Sequence, residues 1–325
     1  MANIKDVAKR ANVSVATVSR VINNKGYVNE ETRQLVLKAI EELNYIPNEF
    51  ARSLFKKTSH TIGVILPHLN NSFYYEVLEG IEEFAFQNGY KVMICNTHED
   101  PEREEVYLKQ FVRYNFDGLI TGSNSNLIDK YLELDIPLVS IDRFIADQIP
   151  SVFSDNVNGG YLAAQKLVRT GSRRIVHFRG PSILHTVQQR AQGFNEGLKE
   201  AGLTCDEVDL AFIDPEVHRI RDYLRSHPDI DGVFCDSDLI ASAVIAELLD
   251  MGKRIPEDVQ VIGYDDQEIA RYIYPKLTTI SQNMFDIGEA AITLLHRLMK
   301  GEDVEQYHLV IPVTLVERET TRKEE

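Results

Sequence analysis

From Thr61 onward, the chain alternates short apolar runs with longer amphipathic stretches. The apolar runs are TIGVILP, YKVMICN, DGLITG, IPLVSID, RRIVHFRG, DGVFCDS and VQVIGYDD. Stretches with helical periodicity, such as residues 74–88 and 239–251, lie between them. Regular alternation of this kind is typical of parallel sheets covered by helices on both faces. The length of this region predicts an α/β body of two Rossmann-like lobes.

Neither a dinucleotide nor a catalytic metal fits this body. The segment LPHLNNSF, which follows the first apolar run, contains no glycine and therefore no pyrophosphate-binding loop. The acidic residues Asp236, Asp238, Asp265 and Asp266 have no His or Cys partner at metal-ligand spacing, and no nucleophile motif accompanies them. We therefore predict no cofactor, no metal and no enzymatic activity.

The best ligand-binding candidates are polar and aromatic residues that follow the apolar runs, because parallel sheets bind ligands beyond the carboxyl ends of their strands. This criterion selects Asn70 to Tyr74, Asp142, Phe153, Asp236 to Asp238 and Asp265, with Arg190 at the start of a helix. Any single Asp there can equally cap the next helix. The set, however, combines carboxylate acceptors, a guanidinium donor and aromatic faces, which suits a polyol such as a sugar. Arg143 and Arg179 lie near the same places, so a sugar phosphate is the alternative ligand.

The N-terminal stretch IKDVAKRANVSVATVSRVIN predicts two short helices with a polar break at residues 12–14. Ser14 can cap the second helix, and a third helix begins after Asn29. The predicted inward positions are Val7, Ala8, Ala11, Val18, Val21, Ile22, Val36, Ile40 and Leu43. This pattern predicts a three-helix helix-turn-helix unit.

Charge separates this head from the body. The whole chain has a net charge of -15, yet residues 1–60 hold ten Lys and Arg against six Asp and Glu, a net +4. The remaining residues therefore carry -19. Such asymmetry indicates that the head alone meets a polyanion, although a solvated helix surface is the alternative on charge alone. For the helical pattern, the alternative is a small helical interaction domain.

In a helix-turn-helix unit the second helix enters the major groove with its N-terminal, outward-facing residues. Arg20 suits a bidentate contact to guanine, whereas Val15 and Ala16 suit thymine methyl groups. Ser14 and Thr17 are better placed for phosphates. The predicted DNA contacts of this helix are Ser14, Val15, Ala16, Thr17, Ser19, Arg20 and Asn23.

The segment PNEFARSLFKKT, residues 47–58, predicts a helix of about two turns, which is too short to persist alone in water. Ala51 and Leu54 share one face of it, and two lysines follow. An apolar wedge on a basic segment is typical of minor-groove binding. We therefore add Asn48, Ala51 and Leu54 to the predicted DNA contacts.

Together, IKDVAKRANVSVATVSRVIN, ETRQLVLKAIEELNYIPN and ARSL closely resemble the DNA-binding head and hinge helix of the LacI/GalR family of bacterial transcription regulators. The resemblance implies that Leu54 is the hinge leucine inserted at the operator centre. In the body, RAQGF, VIGYDD, SID, FSD and TTISQ match the family's effector-site segments. The effector residues implied by the resemblance and the strand-end criterion are Phe73, Tyr74, Asp142, Phe153, Thr186, Arg190, Ser237, Asp238, Asp265 and Gln282. Many members have Asn where this chain has Ser237, which puts the role of Ser237 in question.

The resemblance also implies the domain organisation. Residues 1–46 are expected to form the DNA-binding domain, 47–60 the hinge helix and linker, and 61–325 the effector-binding and dimerisation domain. This last domain resembles a periplasmic sugar-binding protein. Its lobes are expected at about 61–155 with 285–312, and at about 156–282 with 313–320, joined by crossovers near 154–156, 282–284 and 312–314.

The expected function is that of a repressor whose operator affinity responds to a sugar-type effector. We expect a homodimer on a palindromic operator with a central CG step, and a dimer rather than a tetramer because the tail after Leu315 carries no heptad repeat. A phosphocarrier protein acting as corepressor, as in some family members, is the alternative partner. No apolar run approaches the roughly 20 residues that span a bilayer, and no signal peptide is evident, so a cytoplasmic location without membrane contact is expected.

Overall fold

The computed structural model describes residues 2–45, 58–123, 125 and 127–324. The chain divides into two compact units, Met1–Ser59 and His60–Glu325. The predicted hinge contacts Asn48, Ala51 and Leu54 lie outside the described residues. Within the described residues, no helix is long and apolar enough to cross a membrane.

The first unit contains three helices, α1 (Ile4–Arg10), α2 (Val15–Asn23) and α3 (Glu30–Glu42). Each helix is preceded by an N-cap residue whose side chain accepts a hydrogen bond from a backbone N–H of the first turn. These residues are Asn3, Ser14 and Asn29. Asn12 takes the left-handed backbone, with φ of 53°, that the tight turn between α1 and α2 requires. The core consists of Val7, Ala8, Ala11, Val18, Val21, Val36 and Ala39. The predicted helix-turn-helix arrangement is thus present.

The second unit alternates strands and helices throughout. Its helices are α4 (Phe73–Gln87), α5 (Pro101–Arg113), α6 (Ile128–Leu132), α7 (Asn156–Arg169), α8 (His185–Glu200), α9 (Val217–Ser226), α10 (Asp238–Asp250), α11 (Ile269–Tyr272) and α12 (Met284–Met299). Its strands are β1 (Thr61–Leu66), β2 (Lys91–Asn96), β3 (Gly118–Thr121), β4 (Leu138–Ile141), β5 (Ser151–Ser154), β6 (Ile175–Arg179), β7 (Cys205–Asp209), β8 (Gly232–Cys235), β9 (Gln260–Asp265), β10 (Thr278–Ser281), β11 (His308–Ile311) and β12 (Thr314–Val316).

These strands form two six-stranded sheets, one in each lobe. The first has the order β11-β5-β4-β3-β1-β2 and the second β12-β10-β9-β8-β6-β7. The chain therefore passes between the lobes after β5, after β10 and after β11. All neighbouring pairs are parallel except β10 and β12, which are antiparallel. Only residues 312 and 313 separate β11, at the edge of the first sheet, from β12, at the edge of the second.

Two helices of the second lobe, α7 and α8, touch along their backbones. A Cβ atom on Gly160 would lie 2.0 Å from the carbonyl oxygen of Arg190, and one on Gly193 would lie 1.7 Å from that of Val157. No side chain fits at either position. The location of α8, and of the Arg190 that it carries, is therefore set by direct contact with α7.

We expect Gly193→Ala to lower the free energy of unfolding. Alanine favours a helix over glycine by about 1 kcal/mol, but overpacking of this kind costs roughly 1–3 kcal/mol. The steric cost should exceed the gain because the obstacle is backbone. Urea unfolding measures the difference. Gln192→Ala, one residue away at an exposed position, is the control and should stay within about 0.5 kcal/mol of the unsubstituted chain. Equal stability of the two variants would contradict the close helix contact.

Candidate DNA-reading head and effector cleft

The predicted DNA-contacting residues of α2 and its N-cap differ in how exposed they are. Ser14, Val15, Ala16 and Arg20 are exposed, and Thr17, Ser19 and Asn23 are half-buried. Val15 is 40% exposed although it is apolar. The exposed face thus offers one guanidinium, two small apolar groups and hydroxyls.

Four of these side chains, Ser14, Thr17, Ser19 and Asn23, also have partners within the head. Ser14 Oγ accepts the backbone N–H of Thr17 at 3.1 Å and lies 2.9 Å from Thr17 Oγ1. Asn23 Nδ2 donates to the carbonyl oxygen of Ser19 at 2.8 Å. Ser14 therefore has a capping role besides any phosphate contact. Tyr27, in the loop after α2, was not among the predicted DNA contacts, and it is 90% exposed.

In the second unit, a cleft of about 230 Å³ lies between the two lobes. Its walls include eight of the predicted effector residues, which are Phe73, Tyr74 and Asp142 of the first lobe and Thr186, Arg190, Ser237, Asp265 and Gln282 of the second. Asp142, Ser237, Asp265 and Gln282 follow or end strands of the two sheets, and the other four lie in helices. The strand-end criterion works here because the carboxyl ends of both sheets face one another across the cleft.

Two predicted effector residues do not line this cleft. Phe153 lines a neighbouring cavity of about 100 Å³, which shares Asp142 and Thr186 with the cleft. Asp238 is fully buried, and its oxygens accept bonds from Gln267 N at 2.7 Å and Thr279 Oγ1 at 2.6 Å. It turns beneath β9, where glycine at position 263 leaves the room. Asp238 therefore braces the turn after β9 and does not line the cleft.

Arg190 is the central donor of the cleft and is held on three sides. Its Nε donates to Asn156 Oδ1 at 2.8 Å, and its Nη1 donates to the carbonyl oxygen of Asp236 at 2.6 Å. The guanidinium carbon lies 3.9 Å from the centre of the Tyr264 ring, a cation–π contact. Neither residue was among the predicted effector residues, although Asn156 directly follows FSD and Tyr264 lies within VIGYDD.

The two acceptors, Asp142 and Asp265, both have positive φ, 55° and 112°. The oxygens of Asp265 accept from Gln282 Nε2 and, at 2.8 Å, from Gln267 Nε2. Asp142 Oδ1 is buried and has no hydrogen-bond partner among the described residues. Buried acceptors of this kind are uncommon and suit a hydroxyl of a ligand.

Burial raises the pKa of both acceptors, to about 6 for Asp142 and about 7 for Asp265. The positive charge of Arg190 acts in the opposite direction on both. Near neutral pH, both groups are therefore close to their titration range, and deprotonation turns them into carboxylates. Carboxylates accept stronger hydrogen bonds than neutral groups.

A third aromatic side chain in the cleft, Phe212, comes from the loop between β7 and α9. A Cβ atom on Gly180 would lie 2.2 Å from this ring, so the ring is seated directly against the backbone after β6. Sequence analysis missed Phe212 because the surrounding AFID segment follows no apolar run.

Arg143 and Arg179, which made a sugar phosphate the alternative ligand, have other partners. Arg179 pairs with Glu207 and Asp209, each at 2.6 Å. Arg143 donates to the carbonyl oxygens of Ser123 and, at 3.1 Å, Ser125. Among the described residues that line the cleft, Arg190 is the only Lys or Arg.

Comparison with known proteins agrees with this architecture. Residues 3–48 match the model of bacterial regulatory proteins of the lacI family, and residues 164–321 match the model of the periplasmic binding protein-like domain. The chain is 40% identical to the ribose operon repressor of Halalkalibacterium halodurans over 323 residues, covering 99% of this chain and 98% of the relative. It is 41% identical to the ribose operon repressor of Bacillus subtilis, covering both chains fully.

Solved structures are similar to most of the chain. The lac repressor dimer bound to operator and the anti-inducer ONPF has a TM-score of 0.90 at 27% identity, covering 98% of this chain and 99% of that chain. A periplasmic binding protein/LacI transcriptional regulator from Alkaliphilus metalliredigens in complex with D-xylulofuranose has a TM-score of 0.75 at 34% identity, covering 81% of this chain and 100% of that chain. The predicted fold class is confirmed, and the chain belongs to the LacI family of bacterial regulatory proteins.

Proposed function

We propose that this protein is a transcriptional repressor whose affinity for operator DNA is controlled by a neutral sugar bound between the lobes. The observation that carries the proposal is the cleft itself. It brings the carboxylates of Asp142 and Asp265, the guanidinium of Arg190 and the ring of Phe212 to one place, in a chain with a helix-turn-helix head.

The charges of the cleft favour a neutral polyol over a phosphorylated one. Two carboxylates oppose an anion, and the guanidinium of Arg190 already donates to Asn156 and Asp236. A phosphate would normally require additional basic groups or a helix N-terminus. We therefore place the neutral sugar ahead of the sugar phosphate.

A pentose is the specific effector class that we propose. Its hydroxyls would meet carboxylate acceptors on both walls, while its apolar ring face would lie against aromatic side chains. Two full-length relatives are named ribose operon repressors, and a similar solved structure contains D-xylulofuranose. D-Ribose and D-xylulose are accordingly the first ligands to test.

The effector acts through the relative arrangement of the lobes. A sugar that contacts Asp142 on one lobe and Arg190 on the other favours a closed cleft, because it gains contacts there that an open cleft cannot supply. Coupling between two sites of one protein typically amounts to about 1–3 kcal/mol. That range is sufficient to move operator occupancy several-fold.

On DNA, we propose a homodimer that places two heads on a palindromic operator with a central CG step. Arg20, Val15 and Ala16 read base edges in the major groove. Leu54, with Asn48 and Ala51, acts at the minor groove of the operator centre. The effector changes how readily this hinge segment is ordered on the operator.

Replacing Arg20 should relax sequence preference. We expect Arg20→Ala to weaken operator binding by about 1–3 kcal/mol and to remove the preference for one guanine per half-site, because a bidentate contact is lost. Selection of preferred sites from a random library measures this. Lys9→Ala, at an exposed position of α1, should instead weaken binding evenly across sequences. An unchanged site preference for Arg20→Ala would contradict its role in reading the operator.

Replacing Arg190 should uncouple the repressor from its sugar. A ligand at about 100 times its Kd stabilises the folded state by roughly 2.7 kcal/mol, and Arg190→Lys or Asp265→Asn should abolish most of this thermal shift. Operator binding without sugar should persist. Arg179→Met is the matched control, since that guanidinium pairs with Glu207 and Asp209 outside the cleft wall. If Arg179→Met alone removed the sugar response, the effector site would lie elsewhere.

Sugar affinity should rise with pH between about 5.5 and 8. The pKa values of Asp142 and Asp265 are raised to about 6 and about 7, so raising the pH removes their protons and creates the stronger acceptors. In the absence of sugar, a rise in pH has the opposite effect on the stability of the folded state. Because these pKa values exceed the ordinary value of about 3.9 for Asp, the buried acids lower the stability of the folded state as pH rises from about 4 to about 7. Calorimetric titration at three pH values tests the first effect, and a sugar affinity that does not change with pH would contradict it.

A further inference from the structure

The turn after β9 holds two consecutive non-glycine residues at positive φ, Asp265 at 112° and Asp266 at 60°. Such conformations are uncommon outside glycine and persist where surrounding contacts impose them. Asp265 lies on the cleft wall, and the direction of its carboxylate depends on this backbone. The contacts that hold the turn therefore bear on the effector site.

One of those contacts comes from the C-terminal segment. Arg318 Nη2 lies 2.5 Å from Asp266 Oδ1, and both side chains are largely buried, 15% and 12% exposed. Arg318 is itself anchored, because Nη1 donates to the carbonyl oxygen of Leu277 at 2.8 Å and its backbone N–H donates to Thr278 Oγ1 at 2.8 Å. Arg271 also approaches Asp266, at 3.6 Å, but is 58% exposed. Arg318 thus provides the shorter and better shielded ion pair.

The other side of the turn is braced from beneath. Asp238 accepts the backbone N–H of Gln267 at 2.7 Å and the hydroxyl of Thr279 at 2.6 Å. Thr279 Oγ1 in turn lies 3.4 Å from the backbone nitrogen of Asp266. The turn therefore lies between the buried carboxyl of Asp238, at the start of α10, and the guanidinium of Arg318, which follows β12.

We propose that Arg318 is a positioning residue for the effector: its ion pair with Asp266 holds the left-handed turn that directs the Asp265 carboxylate into the cleft. The inference rests on the proposed effector site. Arg318 does not line the cleft, so it acts through Asp266 and not by contact with the sugar. A short, charge-assisted pair is directional enough to define the backbone next to it.

Two substitutions remove the pair from opposite ends. Arg318→Met keeps most of the side-chain volume without the charge. Asp266→Asn keeps the shape, and Asn tolerates the left-handed backbone well. In the full-length protein, we expect each to weaken binding of D-ribose or D-xylulose about tenfold, equivalent to ~1.4 kcal/mol, with operator affinity in the absence of sugar unchanged. The double variant should be no weaker than either single variant, because both remove one interaction.

Arg322→Met is the matched control. Arg322 lies on the same segment and donates to the carbonyl oxygens of Pro256, Glu257 and Thr170. Its loss should lower the urea midpoint without changing sugar affinity. A purely structural role for Arg318 predicts that stability and affinity change together in both variants. Equal sugar affinity for Arg318→Met and Arg322→Met, or additive effects of Arg318→Met and Asp266→Asn, would overturn the inference.

A crystal structure of Arg318→Met gives a readout that does not depend on the sugar. The inference expects Asp265 to leave its positive φ or its hydrogen bond with Gln282; retention of both would overturn it. Asp265→Asn separates the two proposals. If Asp265→Asn abolishes sugar binding and Arg318→Met leaves it intact, the inference fails and the effector site stands. If Asp265→Asn binds sugar normally, the effector site fails and the inference fails with it.

Discussion

The buried guanidinium of Arg190 is the constraint around which the second unit is organised. A charge that is only 4% exposed must be paired and hydrogen-bonded, since its desolvation is otherwise prohibitive. Asn156 after the first crossover, the carbonyl of Asp236 after β8 and the ring of Tyr264 in β9 supply that environment. Three separate strand ends are thereby brought to one point, and the acceptors Asp142 and Asp265 lie within its electrostatic reach.

Sequence reasoning reached the head and most of the cleft for physical reasons. Caps such as Ser14 and Asn29 and the 3.6-residue periodicity of the apolar positions are local signals, and the structure has both. Asp142 and Asp265 followed from the rule that parallel sheets expose their carboxyl ends. Long apolar strands such as β1 and β9 were equally visible because both of their faces are buried.

The features that sequence reasoning missed depend on distant parts of the chain. Strand β7, CDEVD, is charged and lies at a sheet edge, so it carries no apolar signal, and β12 has only three residues. Phe212 enters the cleft because glycine at position 180, more than thirty residues earlier, makes room for its ring. Asp238 is a residue type that can bind a ligand, yet its side chain lies beneath β9. A local sequence pattern cannot predict where these residues lie, because each position depends on which distant part of the backbone packs against it.

The glycine contact between α7 and α8 has a consequence for how this protein can diversify. Because no side chain fits at positions 160 and 193, the helix that carries Arg190 has little freedom to shift or to accept larger residues on its inner face. The loop that carries Phe212 differs, because its cleft-lining neighbours Ala211 and Ile213 are only half-buried. New ligand preferences should therefore arise first in that loop, while the guanidinium stays in place as a feature common to every variant.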